Sequence, residues 1–454
     1  MKHSNQPRKR LLIISHDIIA TMMAGPGIRY LEMARALKDD LDITLAIPSE
    51  TNLDLLDISF SVYSLNNPSE LQDLVESHDV ILFSSFILEK FPFLGNTKKC
   101  LVVDLYDPFV FENLHYYVDE RLSAQDSLNK HSIDVTNQLA RASDFFICGN
   151  ERQRDYWMGA LTANERINPR TFNQDPTFRS LIDVVGTGIP DRAPRSKPFL
   201  RGVHPQFPNN SKIVLWGGGI WDWLDPLTLV LAWTQVISEY PEARLIFLGT
   251  RHPNPDVPVH EISEKVQNLA VELGHKDHTI FFFEWLTREE HEALLAEADI
   301  GVTLHPIHAE TRYSLRTRVL DYIWAGLPTI STEGDVTSEW VRQYNLGDVV
   351  PANDIDAVAN SLCTLLQIPK DEWINAFKPL QEDLRWTRVV EPLRQFCLNP
   401  KPAADHIHRP RTKTGNFGPE TINWRLARAR YILRKEGFRS LFNKVWHYLK
   451  NRPT

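Results

Sequence analysis

The sequence predicts an α/β protein made of two doubly wound domains in series, followed by a basic helical tail. Three observations predict it. Short apolar runs bounded by turn residues alternate with segments of helical period, as in parallel sheets covered on both faces. The alternation stops at DVVGTGIPDRAPRSKPFL (183–200), rich in Gly, Pro and charge, and restarts at KIVLW (212–216). Residues 405–454 carry twelve Lys/Arg against three Asp/Glu, while the first 404 residues carry a net charge of −17 within the overall −8.

In the first half the expected strands are LLIIS (11–15), ITLAI (43–47), DVILFS (79–84), CLVVDL (100–105) and DFFICG (144–149), and IRYLEMARALK (28–38) is the clearest helix. Segment 183–200 reads as the linker between domains. In the second half the expected strands are KIVLW (212–216), ARLIFLG (243–249), TIFFFE (279–284), DIGVTLH (299–305), LPTIST (327–332) and DVVP (348–351). The tail reads as two helices, 421–435 and 438–450, broken at Gly437. In the second of these, Phe438, Leu441, Phe442, Val445 and Leu449 form an apolar stripe flanked by Trp446, with Arg439, Lys444 and Lys450 off it.

At 454 residues and 43% hydrophobic content, each domain has an ordinary core. Cys100, Cys148, Cys363 and Cys397 are far apart and form no C-x-x-C pair, which points to a reducing compartment rather than a disulfide framework or zinc site. The start, MKHSNQPRKRLLIISHDIIA, is read as a basic lead-in to the first strand, because Ser15, His16 and Asp17 interrupt the apolar run. No stretch approaches the ~18 apolar residues of a spanning helix. The chain is expected in the cytoplasm, and no nucleic-acid partner is expected.

Ligands of doubly wound sheets bind beyond the carboxyl ends of the strands. Gly217, Gly218 and Gly219 follow a strand and precede a helix marked by Asp225 and Pro226. A chain without Cβ atoms there, backed by a helix N-terminus, suits a phosphate, but a tight turn needing glycine for packing is an equal reading. No Gly-Lys-Ser/Thr follows, so this is not a P-loop, and Asp222 in the third glycine position makes a poor dinucleotide fingerprint. Gly25 and Gly27, flanking Pro26 ahead of a helix, pose the same choice in the first domain. No metal site is expected: His305 and His308 have no further ligand cluster, and Asp104 and Asp107 have two residues between them.

The segment HPIHAETRYSLRTRVLDYIWAGLPTISTEGD (305–335) resembles the signature of retaining glycosyltransferases of the GT-B fold, group 1 or family four. There a loop acid precedes a Lys/Arg and a helix acid that runs into Ala-x-Gly-x-Pro, and LDYIWAGLPTI is similar to the second half of that pattern. DLYDPF (104–109), VVGTGIP (184–190) and RWTRVVEPLRQF (385–396) fall in the family's order. The resemblance implies two Rossmann-like domains facing a cleft. The first, 1–190, is the acceptor side, completed by a crossover at 385–400; the second, 191–384, binds the donor; the tail is 405–454.

The implied reaction moves a sugar from a nucleotide-diphosphate sugar to an acceptor hydroxyl with retention, without metal or other cofactor. The implied donor contacts are Gly217, Gly218, Gly219, Arg316, Arg318 and Asp321, the last at the ribose. Glu310 is the candidate facing the sugar, and Asp107 and His16, with the loop of Gly25 and Gly27, are the acceptor-side candidates. This chain departs from the family at Trp221, Asp222, Trp223 and Leu224, where Arg and Lys usually hold the diphosphate. Glu310 also stands three residues too early relative to Asp321. A sugar-nucleotide epimerase or pseudo-glycosyltransferase, or a non-catalytic nucleotide-sugar-binding subunit, therefore stands as an alternative. The acceptor is expected to be a glycan or lipid-linked glycan. The tail would lie on an anionic membrane surface at the inner face, or pack on protein.

Overall fold

The computed structural model describes residues 7–53, 57–64, 67–116, 118, 120–250 and 260–409, and in the tail 429–430, 432–434, 437–438, 441–442 and 445. The chain divides into two units, residues 1–186 with 386–454, and residues 187–385.

The first unit holds strands β1 (Arg10–Ile14), β2 (Asp42–Ile47), β3 (Ser59–Val62), β4 (Val80–Ser84), β5 (Cys100–Asp104), β6 (Phe145–Cys148) and β7 (Ile182–Val184). They form a parallel sheet in the order β3-β2-β1-β4-β5-β6-β7. Leu12 and Ile14 of β1 enter one core cluster, and Leu11 and Ile13 enter another on the opposite face. Burial on both faces explains why the strand reads as an unbroken apolar run. The helix Gly25–Leu37 buries Tyr30, Leu31, Met33, Ala34 and Leu37 against the second of these clusters. Two strands escaped the sequence reading. In β3, Ser59 and Ser61 interrupt the apolar run at a sheet edge, and β7 lies at the start of the segment read as a linker.

The second unit holds β8 (Lys212–Trp216), β9 (Ala243–Phe247), β10 (Ile280–Phe282), β11 (Ile300–Thr303), β12 (Thr329–Thr332) and β13 (Gly347–Val350), ordered β10-β9-β8-β11-β12-β13 and again parallel. In each sheet the strand order reverses once, between β1 and β4 and between β8 and β11. Loops diverge at these points and leave a crevice for a ligand.

The chain returns to the first unit at residue 386. Trp386, Val390, Leu393 and Cys397 join the cluster of Leu11 and Tyr30, Phe396 stacks on Phe145 at 4.7 Å, and Arg394 grips Asp40 at 2.7 and 3.0 Å. Residues 403–409 are anchored there as well. Asp405 makes a buried pair with Arg166 at 2.8 Å, and His406 and Arg409 both reach Asp144. Beyond them most of the two expected tail helices lies outside the described residues. Of the described ones, Phe438, Phe442 and Val445 are exposed and Ile432 is buried.

Candidate functional site

At the switch point of the second sheet, each glycine after β8 lies against one particular side chain. A Cβ on Gly217 would stand 2.9 Å from the Tyr322 ring, one on Gly218 3.7 Å from the Arg318 guanidinium, and one on Gly219 would collide with the Trp221 indole. Glycine is therefore needed at Gly217 and Gly219 so that the Tyr322 ring and the Trp221 indole can approach the backbone, whereas a Cβ on Gly218 would make only ordinary contact with Arg318. The run's donors are partly committed: Gly217 N–H donates to Tyr322 Oη (2.7 Å) and Gly218 N–H to Trp216 O (3.0 Å). The helix that follows, Pro226–Glu239, has Pro at its first turn and its Thr228 N–H donated to Asp225. Asp225, expected at this helix start, caps it, so a carboxylate already answers part of that end's positive potential.

Arg318 supplies what the backbone does not. It sits in the first turn of the helix Thr317–Ala325, buried, with its guanidinium 4.6 Å from the centroid of Trp216. Nη2 donates to Gly219 O at 2.6 Å. Among the described residues Nη1 has no hydrogen-bond partner, and no carboxylate forms an ion pair with the group. Burial, helped by neighbouring Arg316, pulls its pKa down to about 10, against the opposing influence of Tyr322 and Asp321. A cation at a helix N-terminus is opposed by the macrodipole as well. Every one of these unfavourable terms would be relieved by an anion beside Nη1.

Arg316, the other arginine expected at the donor, is engaged by internal partners. Its Nη1 and Nη2 donate to the two oxygens of Glu310, each at 2.8 Å, and its Nε lies 3.4 Å from Asp335. Asp335 caps the helix Val336–Gln343 through Ser338 N–H, and its other oxygen is 3.3 Å from His305 Nε2. Glu310, Arg316, Asp335 and His305 are all buried. Both oxygens of Glu310 are thus occupied, so it holds Arg316 rather than presenting a free carboxylate to a sugar. Burial would raise the Asp335 carboxyl, but His305, Arg316 and the Ser338 N–H outweigh it and hold it below its ordinary value.

Asp321 lies one helical turn beyond Arg318, partly buried, with no hydrogen bond or ion pair to its carboxylate among the described residues. Burial raises its pKa in spite of His291, Arg288 and Arg318. The segment where family members carry basic residues works here as a strut. Trp221 and Trp223 stack at 5.8 Å with His260 edge-on to both, and Asp222 accepts from the Ile262 N–H while holding His260 Nδ1 at 2.9 Å.

In the first unit, His16 follows β1 and its Nδ1 meets Ser84 Oγ at the end of β4, 3.0 Å away. The ring stacks on Tyr106 at 6.5 Å, and Tyr106 covers Arg29 at 5.5 Å. Below, Arg29 makes a buried bidentate pair with Asp104 (2.7 and 3.0 Å) and donates to Val185 O and Gly186 O. Burial lowers His16 to about pKa 4, with Asp17 opposing and Lys90 assisting, which leaves a neutral imidazole. Asp107 sits on the same side, after β5, partly buried. Gly25 and Gly27 form the first turn of their helix rather than a loop ahead of it, and Gly27 is required because a Cβ there would meet Ile18 O at 2.5 Å. Tyr322, Asp335, Arg29 and Ser84 were not singled out from the sequence. Most of their partners are distant in sequence, such as Leu215 for Tyr322, Gly186 for Arg29, His16 for Ser84 and His305 for Asp335, and only Gly301, a glycine inside an apolar strand, hinted at the ring of Tyr322 packed against it.

Residues 211–368 match the family model described as Glycosyl transferases group 1. Among solved structures, the chain is similar to sucrose-phosphate synthase from Thermosynechococcus elongatus (TM-score 0.58, 14% identity, 86% of this chain and 98% of that one). It is also similar to HepE from Anabaena in complex with UDP and glucose (0.61, 13%, 86% and 99%) and to the trehalose-6-phosphate synthase OtsA (0.63, 14%, 87% and 100%). Comparison with curated sequences returns no match. Among the described residues no helix is long and apolar enough to cross a membrane. The chain therefore has the GT-B fold, and within it residues 211–368 are similar to the glycosyl transferases group 1.

Proposed function

We propose that the protein is a retaining glycosyltransferase that moves a sugar from a nucleotide-diphosphate sugar to a hydroxyl of a glycan or lipid-linked acceptor. The observation that carries this reading is Arg318, a buried guanidinium without a carboxylate partner among the described residues, set against the glycine run inside the family-matched region. Arg318 Nη1 and the Gly219 N–H meet the diphosphate, and the Asp321 carboxylate accepts from a ribose hydroxyl. The bond from the anomeric carbon to the phosphate oxygen breaks as the acceptor oxygen bonds to the same face, and the acceptor proton passes to the departing phosphate. Charge developing on that phosphate is stabilised by a group already in place. Glu310 acts through Arg316 as a positioning residue, and His16 and Asp107 contact the acceptor side.

Positive charge at the diphosphate comes from Arg318, so turnover is expected to survive EDTA; loss in chelator with rescue by magnesium or manganese overturns this clamp. The test of the whole reading is a thermal-shift screen of nucleotide sugars, followed by product analysis with and without acceptor. Transfer to a saccharide supports the proposal. The Trp221–Trp223 strut in place of the family's cations favours, as a second reading, a sugar-nucleotide epimerase, which would isomerise the donor without any acceptor.

We propose further that the tail holds the enzyme on an anionic surface at the inner membrane face, a reading supported by the net charge of +9 over 405–454 and by exposed Phe438, Phe442 and Val445. Flotation with anionic vesicles should require the tail. The truncation must end after Arg409, since Asp405 and Arg409 anchor to the first unit.

A further inference from the structure

The glycine run needs something to hold it beneath a phosphate, and the candidate comes from the next helix. Tyr322 lies in a trough made by two glycines, Gly301 within β11 and Gly217 just after the neighbouring β8. A Cβ on Gly301 of β11 would stand 2.5 Å from its ring, one on Gly217 2.9 Å, and Gly301 pairs in register with Leu215 of β8. At the end of this trough the phenol oxygen meets three main-chain groups. It accepts from Gly217 N–H at 2.7 Å and lies 2.9 Å from Leu215 O and 3.1 Å from Val302 O, to one of which its single proton is donated. Tyr322 also sits four residues after Arg318 on the same helix, so both side chains point toward the run. One residue therefore ties the end of β8, the end of β11 and the Arg318-bearing helix together, at the point where strand order reverses.

We infer that Tyr322 is the positioning residue of the diphosphate subsite: it sets the Gly217–Gly219 backbone so that the Gly219 N–H and Arg318 Nη1 address one phosphate group. The inference rests on reading this run as the diphosphate site and deepens it by naming what preorganises it. Without the hydroxyl, Gly217 N–H is a buried donor with no acceptor, and the run shifts to find one. Arg318, which donates to Gly219 O, moves with it.

The test uses the full chain, titrated calorimetrically with inorganic pyrophosphate, which is blind to the nucleobase, and with UDP, ADP and GDP. Tyr322→Phe keeps the ring in its trough and should weaken pyrophosphate and the best nucleotide by about tenfold in the folded protein. A purely structural tyrosine would lower the melting temperature but leave the affinity of the folded protein unchanged, and that result overturns the inference. Should Tyr322→Phe not fold, Gly217→Ala, whose new methyl displaces the run from the ring, carries the same expectation and the same overturning result. Arg318→Met separates the two levels. If wild type binds and Arg318→Met does not, while Tyr322→Phe equals wild type, the subsite stands and the role of Tyr322 is wrong. If wild type binds neither pyrophosphate nor any of the three nucleotides, both fall.

Discussion

Each unit carries an arginine under the strand ends at its switch point, and the two are neutralised differently. Arg29 in the first unit is clasped by both oxygens of Asp104 and by two carbonyls. Burial alone would lower its pKa, but Asp104 more than offsets this and holds it above the ordinary value. Arg318 in the second has a carbonyl, an indole face and an open Nη1. The first arrangement is complete without a ligand; the second is complete only with an anion. The difference teaches that burial of a cation says little about function until its partners are named, since the same penalty is met internally in one unit and left standing in the other.

Breaking the complete arrangement should have the largest effect. Asp104→Ala strands Arg29 in the core and should cost about 3–5 kcal/mol of stability, measured by denaturant unfolding. A loss under 1 kcal/mol would mean that water or the carbonyls suffice. Arg318→Met should do the reverse. Removing a buried cation that has no anion leaves stability unchanged or raises it, while nucleotide-diphosphate affinity falls by roughly 1.5–3 kcal/mol, the range of a hydrogen bond to a charged group. Equal destabilisation by both variants would erase the contrast.

Much of this contrast was legible only in part. Strand runs such as VILFS and CLVVD are apolar because both faces are covered, and they were readable from composition alone. The segment LDYIWAGLP was readable too, because a left-handed Gly326 (φ +61) ends the helix ahead of β12. Which of Arg316 and Arg318 stays open was not readable. Two residues apart on the chain, they differ only in whether Glu310 and Asp335 come within reach, and Asp335 arrives from the far side of β12. The glycine run was ambiguous in a related way. Tyr322, which crowds Gly217, is about 100 residues downstream, so the packing side of the two readings open at this run could not be seen from its neighbours in sequence.

Asp321 sharpens the comparison at a smaller scale, since it is a carboxylate near the open arginine with no hydrogen bond or ion pair among the described residues. Asp321→Ala should weaken nucleotide binding by about 1.5 kcal/mol, less than Arg318→Met, with little change in turnover of bound donor. Because burial raises its pKa, affinity that depends on the ionised form should decline as pH falls through that raised value, earlier than for an ordinary carboxylate. Titration of the best-binding nucleotide across pH 4–7 in wild type and variant isolates the term. Parallel curves would place the ribose elsewhere.

His16 should show the smallest effect at neutral pH, and its acid side tests whether the first unit is complete in its uncharged state. The unfolded imidazole protonates near pH ~6.5, whereas the folded one, lowered mainly by burial and by Lys90 against the pull of Asp17, protonates only at about 4. Between these values the unfolded chain binds the extra proton. The contribution of His16 to stability is therefore constant above about pH 6.5 and declines as pH falls toward 4. His16→Gln keeps a polar group near Ser84 and cannot take up that proton, so its stability should fall less steeply over the same range. Comparing the two chains at each pH cancels the other histidines. Since the ring stays neutral where the enzyme would work, transfer rates should also show no inflection near 6.5 that vanishes in the variant. Such an inflection, or identical stability slopes, would mean that His16 titrates like an exposed imidazole and that the crevice of the first unit carries charge after all.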